Sequence, residues 1–256
     1  MSVPATGYHN RGIVIATKIS NLLRSLGPTT YDEISPKVEY WIDCALTEQS
    51  VNADDLVDHL SSTIWDGHGS DADVARFLKE FRDTPNRSEQ ARTFVDSLCS
   101  RIFRLFVAAS AEDLPAWHRN GTYKIARLAG QGFVRAASLV GQLVKYDMLD
   151  GEFVPQHLVK SLISHHYTDP DNVSKSFRAG AIYQLLVTMG DTLLQGILEP
   201  EDVQVCFEIL DSEIPHRRVA GLDARKLQVR CAARSGASHR NLTYSVRNFV
   251  ISTPHG

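Results

Sequence analysis

The chain has 256 residues, 43% hydrophobic and 22% charged, which is enough apolar mass for a buried core and too much for a disordered chain. Its net charge of −3 argues against a wholesale polyanion binder and leaves room for a local basic patch. No run approaches the about 18 apolar residues of a membrane span, and the start, Met1 to Gly7, lacks a basic-then-apolar leader pattern.

The dominant signal along the chain is apolar spacing near the helical period. It starts with Ile13, Ala16, Ile19, Leu22, Leu23 and Leu26 and stops at Gly27-Pro28. Thr30 and Glu33 have the spacing of a capping box and open a second helix carrying Tyr31, Ile34, Val38, Trp41, Ile42 and Ala45. Pro36 falls within its first two turns. A third helix begins near Asn52 and carries Leu56, Val57, Leu60 and Ile64; the loop Asp66 to Asp71 ends it. A short fourth carries Val74, Phe77, Leu78 and Phe81, and a fifth runs from about Ser88 to Ser110 with Phe94, Val95, Leu98, Ile102, Leu105 and Ala109 on one face.

After a turn at Leu114 to Gly121, a long sixth helix is expected over about Thr122 to Met148, and a seventh over about Pro155 to His166. The turn Asp169 to Asn172 leads to an eighth with Phe177, Ala181, Leu185 and Met189. Pro200 suits the start of a ninth, which carries Val203, Cys206, Phe207 and Leu210. A weaker tenth is expected over about Val219 to Ala233, and the one alternating stretch is Tyr244 to Ile251.

Amphipathic helices joined by short turns pair with their neighbours, and a single hairpin cannot bury its own face. The expected fold is therefore all-α, a right-handed α-solenoid of about five HEAT-like antiparallel helical hairpins. The expected organisation is a flexible start at 1–11, a helical-repeat domain at 12–214 and a basic tail at 215–256, weakly helical or disordered. That tail holds eight Lys/Arg against the single acid Asp223, a net +7, which leaves −10 on the first 214 residues. The cysteines Cys44, Cys99, Cys206 and Cys231 have neither zinc nor disulfide-framework spacing and read as thiols of a reducing, cytoplasmic compartment.

Four segments resemble one family, the middle domain of eukaryotic translation initiation factor 4G. Lys18 to Ile34 is similar to the family's opening helix, its Leu-Leu and Pro turn, and the aromatic-acidic start that follows. Arg92 to Phe103 is similar to a third-repeat helix with a basic start, a central Cys and a later Phe. Leu139 to Leu149 resembles the signature F-I-G-E-L-F with a Leu-ended turn; Gly141 and Leu143 match, Gln142 replaces the acid, and Arg135-Ala136 stands where Gly-Asn is common. Ala181 to Asp191 resembles an L-x-x-L-L-x-x-x-G helix. The resemblance covers about residues 12–211, and its departures suggest a divergent member. It implies a non-catalytic scaffold or adaptor of translation initiation, HEAT-like or armadillo-type in fold, that docks the initiation factor 4A DEAD-box helicase and contacts RNA. Similar domains also serve as adaptors in RNA surveillance and cap-associated mRNA processing, which is the alternative reading. The short chain without a cap-binding-protein docking motif suggests a stand-alone module.

Local chemistry gives no competing signal. His165 and His166 with Asp169 and Asp171 lack the i, i+4 spacing of a helical metal pair and suit a helix C-terminus. His68 with Asp66 and Asp71 reads as a tight turn. Gly130 and Gly132 have neither a preceding strand nor a third glycine, and read as small residues for close helix approach. No catalytic or metal residues, cofactor, small-molecule substrate or membrane role is assigned, and a helical enzyme is the lesser alternative. By the resemblance, the partner-docking candidates are Arg92, Phe94, Val95, Arg101 and Phe103. Arg104, Lys124, Arg127 and Arg135 are the RNA-binding candidates, on the expectation that helices five and six pair and join their cations. The basic tail is a further candidate nucleic-acid arm.

Overall fold

In a computed structural model, the structure describes residues 6–47, 51–67, 69–111, 123–149, 153–168, 172–189 and 200–213. Among them are nine helices and no strand: α1 Thr6–Arg24, α2 Tyr31–Thr47, α3 Ala53–Asp66, α4 Asp71–Asp83, α5 Glu89–Ala111, α6 Tyr123–Lys145, α7 Phe153–Thr168, α8 Asn172–Met189 and α9 Pro200–Glu213. The expected tenth helix, the alternating stretch and the whole tail lie outside the described residues.

Local chemistry sets the helix ends. Asn52 accepts a hydrogen bond from the Asp54 amide (3.1 Å) before α3, Ser70 one from Asp73 before α4, and Ser88 one from Ala91 (3.2 Å) before α5. Each satisfies an amide that the helix leaves without a partner. At the end of α6, Asp147 takes a positive φ of 54° and Met148 donates to the Leu143 carbonyl (2.9 Å), a Schellman closure that tucks Met148 into the core. The capping box expected at Thr30 does not form. The Thr30 hydroxyl instead donates to the carbonyls of Ser25 (2.6 Å) and Gly27, in the turn after α1, while Glu33 pairs with Lys37.

The helices pack in two rows. The odd-numbered helices contact in the order α1, α3, α5, α7, α9, and the even-numbered ones in the order α2, α4, α6, α8. The rows face each other across a single apolar seam running from Ile19 and Val38, through Leu98, Phe106 and Phe133, to Leu185 and Ile209. Phe106 of α5 stacks on Phe133 of α6 with ring centroids 5.0 Å apart, tying the rows together at mid-stack. Each helix thus packs against the next but one along the chain. The α1 stripe differs from the expected one: Ile15 is buried, whereas Ile13 is 54% exposed.

Candidate interaction surface

α5 is the most enclosed helix of the odd row, with α2, α3, α4, α6 and α7 around it. Its exposed arc is Glu89, Gln90, Arg92, Thr93, Asp96, Ser97, Ser100, Arg101, Arg104, Val107 and Ala108. At about 100° per residue, Arg92 and Arg101 fall on opposite flanks of this arc and Arg104 lies near its middle. Arg101 reaches across to Asp58 of α3 (2.8 Å). On the other flank, Asp96 faces Arg82 of α4 at 3.6 Å. Arg92 and Arg104 are exposed and form no salt bridge with any described residue.

Two docking candidates are corrected. Phe94 and Val95 are 3% and 0% exposed and belong to the seam, so neither can reach a partner. The helical period puts residue 95 opposite Arg104 and residue 94 just past the Arg101 flank of the exposed arc, and the core takes both. Phe103 is half-buried against the core, which leaves only its edge to solvent. Arg92 and Arg101 are on the surface as expected.

Arg135 is corrected too. It leaves α6 toward α4, where its guanidinium hydrogen-bonds Asp71 (3.3 Å) and the Gly69 carbonyl. The two glycines of this loop stand where side chains would not fit. A Cβ on Gly67, whose φ is 45°, would strike the Arg135 guanidinium, and one on Gly69 would sit 2.6 Å from the Leu23 carbonyl oxygen. Arg135 therefore anchors a turn and is not available for phosphate. Lys124 and Arg127 lie on the first turns of α6, but their side chains lie outside the described residues. α5 and α6 do pack together, yet the joined basic surface loses Arg135.

The crevice beside this loop, lined by Leu23, Arg24, Thr63, Asp71 and Arg135, has space for about one water molecule. Burial pushes the Asp71 carboxyl above its ordinary value, against the pull of Arg135 and Ser138. His165 Nδ1 lies 2.7 Å from the Ser161 carbonyl, and the buried His166 has its Nδ1 3.2 Å from the Lys175 carbonyl. Among the described residues no group of three His, Cys, Asp or Glu could hold a metal ion; Asp169, Asp171 and His68 lie outside them. No described helix is long and apolar enough to cross a membrane. Cys99 and Cys206 are buried free thiols, each pushed up to about 12 by that burial.

Several contacts had no sequence signal. Arg87 bridges Glu39 and Asp43 (2.6 Å) of α2 with its guanidinium 4.0 Å over the Phe81 ring. Arg178, only 2% exposed, donates to the Ser110 carbonyl at the end of α5 (2.5 Å). Lys18 sits 4.0 Å over Trp41, which meets the 61%-exposed Tyr40 edge-on. Comparison with protein-family models, curated proteins and solved structures gives no match for this chain.

Proposed function

We propose that the chain is a non-catalytic scaffold, a divergent relative of the initiation factor 4G middle domain, built as a right-handed solenoid of about five HEAT-like hairpins. It holds a partner protein of the initiation factor 4A helicase class in cytoplasmic translation initiation. The observation that carries this reading is the two-row packing around one seam, which leaves a rigid outer face with unsatisfied cations. A rigid face lowers the ordering cost of holding a mobile partner. Two of the resembling segments also meet in space: a Cβ on Gly141 would collide with Thr188, so α6 and α8 approach where the signature glycine stands.

The departures Gln142 and Arg135-Ala136 mark a divergent segment whose partner need not be the usual one, so the second reading is an adaptor in RNA surveillance or cap-associated processing. Affinity purification of the tagged chain, with and without nuclease, separates these readings. The expected result is an initiation factor 4A-class helicase retained after nuclease. A surveillance or cap-complex protein in its place establishes the second reading, and retention of RNA alone overturns both.

A further inference from the structure

We propose that the open side of α9, at the end of the two rows, is the docking site of the chain's own segment Val219 to Ala233, so that this segment is not a standing arm for nucleic acid. The inference does not depend on which partner the scaffold holds. Each inner helix of the odd row has a neighbour on both sides: α3 lies between α1 and α5, and α7 between α5 and α9. Among the described residues, α9 packs on α7 beside it and on α8 across from it, and no helix follows it. Of its described side chains, the exposed ones are Glu201, Gln204, Glu208 and Ser212, with half-buried Val205 at the edge of that arc. α9 holds five Asp/Glu and no Lys or Arg. Lys160 of α7 lies 3.4 Å from Asp202, while Glu201 and Glu208 form no ion pair with a described residue. The remaining Lys and Arg of the flanking helices are half-buried Lys175 and buried Arg178, both on α8.

Two segments outside the described residues adjoin α9, and charge decides between them. Residues 190–199 hold Asp191 and Glu199 and no cation, so they repeat the charge of α9. Residues 214–256 hold eight Lys/Arg against Asp223, so they complement it. The link 214–218 has five residues, a usual length between antiparallel helices. α9 is about 21 Å long, and a helix over 219–233 is about 22 Å. In that segment Ala220, Ala224, Leu227 and Cys231 recur at the helical period, and Lys226, Arg230 and Arg234 follow the flank beside them. Asp223 falls on the same flank a turn before Lys226, which leaves three cations there to one acid. The levels also match, counted from the facing helix ends Glu213 and Val219. Val205 and Leu227 both stand eight residues away, Glu208 five and Lys226 seven, Glu201 twelve and Arg230 eleven. The offsets of about 3 Å and about 1.5 Å are within the reach of a Lys or Arg side chain. Docked in this way, the segment lays its apolar stripe on Val205, and Lys226 and Arg230 are held away from phosphate by Glu208 and Glu201.

The test is amide hydrogen exchange on the full chain, read by mass spectrometry, in four forms: wild type, Glu201→Arg/Glu208→Arg, Lys226→Glu/Arg230→Glu, and all four substitutions together. The expected result is exchange over 219–233 about tenfold or more slower in wild type than in either double variant. Slow exchange should return in the fourfold variant, whose reversed charges match again. Glu201 and Glu208 are exposed, so α5 and α6 should exchange alike in all four forms. If a double variant loosens α5 and α6 as well, the fourfold variant decides. Exchange over 219–233 that is unprotected in wild type, equal in wild type and the double variants, or not slowed again in the fourfold variant overturns the assignment. Protection that grows with protein concentration places the segment on a second copy and overturns it too.

Discussion

Glu80 shows how one exposed-looking side chain joins two elements. It accepts a hydrogen bond from the Tyr31 hydroxyl of α2 (2.6 Å) and one from Arg76 Nε on its own helix (2.8 Å), and the Arg76 guanidinium lies 4.0 Å over the Tyr31 ring. Burial alone would raise the Glu80 carboxyl, but the hydroxyl and the guanidinium outweigh it and hold the group below its ordinary 4.5. Tyr31 moves the other way, pushed well up by burial and by the neighbouring carboxylate. A carboxyl lowered in the folded state stabilises fully above its unfolded value and loses that contribution as pH falls through the folded one. Glu80→Gln should therefore lower the urea midpoint at pH 7 and change it little at pH 3. An equal cost at both pH values would reject the account. Asp71, raised by burial, contributes with the opposite sign, so the difference between variant and wild type is the quantity to compare.

At the scale of elements, the α6–α8 pair is the closest-fitting contact of the even row. An alanine inside a helix ordinarily stabilises by up to about 1 kcal/mol relative to glycine. Gly141 should behave otherwise, because its place is filled by the Thr188 side chain, with the Met189 side chain behind it. Gly141→Ala is expected to destabilise by about 1–3 kcal/mol, and Thr188→Ala in the same chain to recover part of the loss. Thermal denaturation of the two single variants and the double variant checks this. A Gly141→Ala protein more stable than wild type would show that the helices can part without cost.

Over the whole molecule, helix contacts join mainly near neighbours along the chain, so damage at an end should stay local while damage at the centre spreads. Leu98 is fully buried on α5, which touches helices of both rows, whereas Ile15 lies midway along α1, the first helix of the chain. Leu98→Ala should cost about 2–5 kcal/mol and speed hydrogen exchange from α3 through α7. Ile15→Ala should speed it in α1 and in the α2 and α3 helices packed on it, and not beyond. Uniform acceleration by both variants would mean that the chain opens as one unit.

What the residues fixed by themselves was the all-helical class, eight of the nine described helix starts to within about three residues, and most of the seam, because a period near 3.6 states which face avoids water. The stripes of α1 and α5 were each read slightly off, at Ile13 and at Leu105 where Phe106 is the buried residue, since several apolar residues sit within one turn and only the neighbours select among them. Tertiary structure alone decided the roles of the arginines. Arg87, Arg101, Arg104, Arg135 and Arg178 all lie in or beside helices, yet one clamps a loop, one pairs with the next helix of its row, one forms no ion pair with a described residue, one fills a glycine turn and one is buried. Periodicity reports burial of the backbone face. Where a long cation ends depends on a carboxylate or carbonyl tens of residues away, and sequence spacing carries no measure of that distance.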